Sequence, residues 1–128
     1  MGYLLGIDCG LTVAKAALYD EGGREVSVAR ARVPQLTPKP RHVERSMEAL
    51  WQAVAQAIRE ALGDRDPREV RGIGATAHGD GLYLLDETLA PIGPGVLSLD
   101  SRAHEIVADW EADRTVFPFK EILSEEER

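Results

Sequence analysis

One cysteine, Cys9, is all the thiol this 128-residue chain carries. It cannot form an internal disulfide, so a reducing cytoplasm is the expected setting. Aromatic residues make up only 5% of the chain, too few for a stacking platform along single-stranded nucleic acid. Positive charge is in deficit as well: fifteen Lys and Arg face twenty-two Asp and Glu, for a net charge of −7. The basic residues are scattered, which argues against the cationic patch that nucleic acid requires. Long apolar runs are missing too. None approaches the roughly eighteen residues of a membrane span, and the N-terminus has no basic segment before an apolar core. The expectation is a soluble, cytoplasmic protein with neither nucleic acid nor membrane as partner. An acidic balance leaves phosphorylated substrates open, because backbone N–H groups and a metal ion can hold phosphate.

What is present belongs to a globular domain of ordinary size, with 44% apolar and 29% charged residues. Residues 3–7 (YLLGI) form a short apolar run of the kind a buried strand shows, and residues 15–19 (KAALY) a second. "DEGG" at 20–23 reads as the hairpin turn after it, and residues 25–33 alternate like a half-exposed edge strand, with Val26, Val28 and either Ala29 or Ala31 as apolar members. A proline-rich connection at 34–46 leads into the clearest helix. Met47, Leu50, Trp51, Val54, Ile58 and Leu62 fall on one stripe, Ser46 suits the N-cap and Gly63 the left-handed C-terminal position. A strand at 70–79 follows, its Gly72 and Gly74 suggesting close backbone approach. Residues 81–86 and 94–100 read as a pair of strands. A second helix begins near Ser101, with Ala103, Ile106, Val107 and Trp110 at helical spacing. Both tryptophans are expected in the core, and the tail at 119–128 reads as solvated charge. Three strands, a helix, a strand, a strand pair and a helix suit a mixed α/β sheet with helices on its faces.

The first strand ends at Asp8 and the chain turns back at Gly10. Asp8 is then either a solvated turn residue or a carboxylate that handles phosphate. A carboxylate there can hold Mg²⁺ through water, since Mg²⁺ keeps several waters and takes few protein ligands. A tight turn at Gly10 would let backbone N–H groups face the phosphates, with the Thr12 hydroxyl beside them.

Three segments in order carry a resemblance. "GIDCGLTVAKAALYDEGG" is similar to the phosphate-binding opening of the sugar-kinase, heat-shock-protein and actin superfamily. "HVERSMEALWQAV" and "GIGATAHGDGLYLLDETLAPIGPGVLSLDSRAHEIV" resemble the first-helix entry and the sugar-cleft segments of FGGY carbohydrate kinases. In wording they are closest to the subgroup of L-xylulose kinase and related pentulose kinases. The resemblance implies a ribonuclease-H-like (actin-like ATPase) fold with a mixed sheet of about five or more strands, incomplete relative to the family. The chain, residues 1–128, would be a single domain, the N-terminal portion of the first kinase domain. It implies ATP and Mg²⁺ as cofactors and a sugar, a pentulose by wording, as substrate. Asp8, Gly10, Thr12 and Lys15 would take the nucleotide phosphates, Asp8 also the metal; Ala77, His78, Asp100 and Arg102 would take the sugar.

Two departures stand out. Leu11 and Val13 flank Thr12 where the family has hydroxyl residues, and Ser98 replaces the tryptophan of a W-x-D-x-R element. The family's catalytic aspartate lies downstream, so the chain alone is expected not to turn over. A non-catalytic nucleotide- or sugar-binding remnant, or one part of a split protein, is the alternative. The remainder of the kinase or a second copy would then cover exposed apolar surface. A ribonuclease-H-type nuclease also starts on a first-strand aspartate, but the acidic balance and missing basic stripe speak against it. Asp100 has a second reading as a helix cap with Arg102 solvated. Cys9 reads as packing, Glu44 as structural, and His42 and His104 have no metal-ligand spacing.

Overall fold

The computed structural model of the chain describes residues 2–113; the charged tail at 119–128 lies outside them. The chain opens as a meander of β1 (Tyr3–Cys9), β2 (Val13–Asp20) and β3 (Glu25–Arg32). The DEGG turn closes as expected, with the Gly23 N–H donating to the Asp20 carbonyl. The chain then crosses through helix α1 (Met47–Leu62) and returns as β5 (Val70–Ala77), parallel to β1. The resulting mixed sheet has the order β3-β2-β1-β5. Its strand count within the described residues is four, because the remaining strands are short and form a second sheet. That sheet has the order β4-β7-β6, from β4 (Glu44–Arg45), β6 (Gly81–Leu82) and β7 (Gly95–Leu97). Helix α2 (His104–Ala112) follows. No helix among the described residues is long and apolar enough to cross a membrane.

Helix α1 forms where the sequence places it. Ser46 accepts from the Ala49 N–H at 3.1 Å, and the Gly63 N–H donates to the Arg59 carbonyl from a φ of 56°. Its buried face keeps much of the expected stripe, with Val54 buried and Leu50, Ile58 and Leu62 packed against the core, but is centred on alanines. Ala53, Val54, Ala57 and Ala61 are buried, while Trp51 is 62% exposed. The cause lies underneath: β2 and β3 present Ala14, Ala16, Ala29 and Ala31, so the helix settles on its own alanines. A large ring in that seam would hold the two layers apart, and Trp51 lies on the shoulder instead. Trp110 is also outside the core at 46% exposed, on a helix whose residues are all solvent-accessible.

The helix-facing side of β3 carries Ser27, Ala29 and Ala31, with buried Val33 just past its end; of the apolar members read from the alternation the alanines are in the core, and Val26 and Val28 are not. A bulge between Leu18 and Tyr19 shifts the register, and the Ser27 hydroxyl donates to the Ala61 carbonyl at the end of α1. Gly74 also departs from expectation: no described atom approaches the position its Cβ would take.

The face of the sheet away from α1 is open. Cross-strand partners share a face, and the register gives three rows on this one. Arg30, Lys15, Asp8 and Thr76 form a polar row. Val28, Ala17, Gly6 and Gly74 form a low floor, and Tyr19 and Leu4 a wall. All of these except Leu4 line a shallow depression of about 480 Å³.

Candidate functional site

The parallel strands β1 and β5 end side by side, Cys9 level with Ala77. In sheets with parallel strands this carboxyl end is the usual place for a ligand. Asp8 lies in the last turn of pleat of β1, directly across from Lys15 on β2. The Lys15 Nζ is 3.5 Å from the Asp8 carboxylate, and both side chains are nearly half exposed. Sequence reasoning placed these two residues in one site, and the fold brings them into contact.

Between them the chain turns through Gly10, Leu11 and Thr12. A Cβ at Gly10 would lie 2.7 Å from the Val13 carbonyl oxygen, so the turn closes this tightly only with glycine there. The Gly10 and Leu11 carbonyls accept from the Arg45 guanidinium at 3.3 and 2.8 Å, and the Thr12 carbonyl accepts from the Val33 N–H at 2.9 Å. Among the described residues, the N–H groups of Gly10, Leu11 and Thr12 find no backbone acceptor. Thr12 is exposed at the tip. The turn thus offers outward donors beside a carboxylate and an amine.

Asp8 is the one carboxylate at this turn, and the described residues hold no cluster of three or more metal-ligating side chains. That donor set fits Mg²⁺ bound through water and shared with phosphate oxygens, and does not fit a metal caged by protein alone. Cys9 follows Asp8, and burial, with the Asp8 charge adding to it, pushes its thiol up, which suits packing and not nucleophilic attack.

His78, just past β5, is tied down at both ring nitrogens. Its Nδ1 is 3.3 Å from the Cys9 carbonyl oxygen and its Nε2 is 2.9 Å from the Tyr83 hydroxyl. With Nδ1 donating to the carbonyl, Nε2 accepts from Tyr83. Tyr83 is seated over Gly95, where any side chain would meet its ring. Ala77, Cys9, Arg45, His78 and Tyr83 border a small cavity of about 240 Å³.

Asp100 and Arg102 meet in a paired arrangement. The Arg102 Nε and Nη2 donate to the two Asp100 oxygens at 2.8 and 2.7 Å, and Nη2 also donates to Glu44 at 2.6 Å. Asp100 further accepts from the Val43 and Arg102 N–H groups. Its side chain is 4% exposed. The Arg102 guanidinium first, then the backbone donors, hold its carboxyl well below the usual carboxylate range. Asp100 does not cap α2, whose N-cap is Ala103 without a side-chain bond, and Arg102 is not simply solvated.

Arg45 and Tyr83 escaped the sequence. Nothing in "HVERS" marks Arg45 as buried; only the pairing of β4 with β7, and the turn packed beneath it, makes it so. Glu44, read as structural, anchors Arg102 and lies 3.7 Å from the His42 Nδ1. The two residues of β4 therefore reach different places: Arg45 the 10–12 turn and Glu44 the Asp100–Arg102 pair.

A meander, a crossover helix and a parallel return, with a glycine turn beside an aspartate, define the opening part of the actin-like ATPase fold found in sugar kinases. A solved structure agrees: a "xyloylose kinase" from Brucella ovis superposes with a TM-score of 0.77 and 31% identity, over 88% of this chain and 24% of that one. Residues 3–124 match the family model described as "FGGY family of carbohydrate kinases, N-terminal domain", and the chain belongs to that family. Among its relatives, a "Probable L-xylulose kinase" of Haemophilus influenzae is 40% identical over 93% of this chain and 25% of its own length. An "L-xylulose/3-keto-L-gulonate kinase" of Escherichia coli is 44% identical over 87% of this chain and 23% of its own. The chain spans about a quarter of the length of these curated relatives.

Proposed function

We propose that residues 1–128 form one ribonuclease-H-like domain, the N-terminal portion of an ATP-dependent carbohydrate kinase that phosphorylates a sugar hydroxyl, a pentulose by kinship. The observation that carries this reading is the 10–12 turn, with its carbonyls drawn inward, its amides free and Asp8 beside it. Phosphoryl transfer asks a protein mainly for positioning and charge neutralisation, and a turn of this kind supplies the first. The Leu11 and Thr12 amides and the Thr12 hydroxyl receive phosphate oxygens. Asp8 would hold Mg²⁺ through its waters, and the metal would supply charge that offsets the phosphates. Lys15, 3.5 Å from Asp8, would add a second positive charge beside them. Ala77 and His78 floor the sugar side, and the accessible edge of Arg102, fixed by Asp100 and Glu44, meets its hydroxyls. No residue here is proposed as the base, so this quarter binds and does not turn over by itself. A remainder of the kinase, or a second copy, covers the open sheet. A cytoplasmic setting fits the lone, half-buried Cys9.

Isothermal titration with ATP in the presence and absence of Mg²⁺ tests the reading. Mg-dependent binding that disappears in Asp8→Ala is expected; binding unchanged by that substitution refutes the role of Asp8. A second reading, a remnant that binds nucleotide alone, is favoured by the ring of His78 and the carboxylate of Asp100, whose polar atoms already have partners. Pentulose titration separates the two, since the remnant gives no heat.

A further inference from the structure

Arg45 is the largest side chain that is fully buried, at 0% exposure. It has no carboxylate within ion-pair distance among the described residues; its guanidinium donates to two carbonyls, Gly10 at 3.3 Å and Leu11 at 2.8 Å, and its Nε has no partner. A buried cation so placed is costly, because two neutral acceptors do not replace an anion. Packing alone gives no reason to keep it; an apolar side chain of the same length would fill the space at lower cost. The charge lies behind a turn whose amides have no acceptor among the described residues.

Peptide geometry ties these facts together. In a trans peptide the C=O of one residue and the N–H of the next point in opposite directions. A guanidinium that holds the Gly10 and Leu11 carbonyls inward therefore aims the Leu11 and Thr12 N–H groups outward. Arginine suits this task because its planar fork reaches two acceptors at fixed spacing, which a lysine ammonium does not.

We infer that Arg45 is a positioning residue of the phosphate turn: it sets the direction of the Leu11 and Thr12 amides and places a positive charge behind the anion they receive. The inference rests on the reading of the 10–12 turn as a phosphate site. It adds a partner for the buried charge, namely the anionic tail of the nucleotide, across a single layer of peptide.

The test is a titration of the full chain, labelled with ¹⁵N, with magnesium tripolyphosphate. The Leu11 and Thr12 amides and the Arg45 guanidinium resonances are followed together. In the wild type all three move along one binding curve. Arg45→Lys, which keeps the charge and loses the fork, binds about tenfold more weakly. Arg45→Met binds more weakly still at low and high salt alike, because the charge is gone and a buried charge is little screened. A merely structural residue would lower the melting temperature and leave the affinity of the folded variants unchanged. That result overturns the inference while the phosphate reading stands. Should the variants not fold, the wild type decides: Leu11 and Thr12 shifting with a silent Arg45 guanidinium also overturns it. Tripolyphosphate that moves neither amide removes the phosphate reading, and the inference with it.

Discussion

The Asp100 carboxylate meets four N–H donors, two from the Arg102 side chain and two from the backbone of Val43 and Arg102. Its ionised form is favoured by folding, so its folded pKa lies below the unfolded one. A depressed carboxyl contributes stability that is complete above its unfolded pKa, near 4, and is lost as pH falls through the folded value. Asp100→Asn is expected to melt several degrees below the wild type at neutral pH, with the gap narrowing as pH falls below about 4. Thermal melts at a series of pH values check this; a gap that does not vary with pH would show the carboxylate charge to be idle. At this scale the sequence spoke unevenly. Asp8 was legible as the polar end of the first apolar run and Lys15 through the family resemblance, while the contact between them comes from the strand pairing of the folded chain. The bonds that tie His78 to Tyr83 and Arg102 to Glu44 were not, since they join segments whose approach only the folded chain decides.

At the scale of elements, α1 was legible in length and caps, because periodicity and end residues are local properties. Its burial was not. A hydrophobic stripe ranks Trp51 above Ala57, but the facing strands are built from alanines, and the partner surface decides which face of a helix is used. The consequence is measurable. Ala57 is completely buried, and Ala57→Leu should destabilise the chain by about 1–3 kcal/mol through overpacking. Trp51→Ser, on the exposed shoulder, should change stability by no more than about 0.5 kcal/mol. Denaturant unfolding of both variants compares them, and a larger loss for Trp51→Ser would mean that the layers meet on a different face. The short strands were legible only as apolar runs: residues 81–86 and 94–100 shrink to Gly81–Leu82 and Gly95–Leu97, because a turn and proline-rich loops interrupt their pairing.

In the molecule as a whole, β5 stands at the end of the main sheet, with its outer edge unpaired among the described residues and Ile73 66% exposed. Opposite α1, the depression floored by Gly6, Ala17 and Gly74 is also uncovered by them. An exposed strand edge beside apolar surface invites pairing with another chain. Light scattering should give a mass that rises with protein concentration; a constant monomer mass over a wide range would mean that this surface needs no cover. The proposed phosphate site rests on one small turn. The most direct measurement is a crystal structure grown with Mg²⁺ and a non-hydrolysable ATP analogue. The account predicts phosphate oxygens within hydrogen-bond reach of the Leu11 and Thr12 amides, with the metal's waters on Asp8. A triphosphate bound elsewhere on the chain, with those amides facing only solvent, would contradict it.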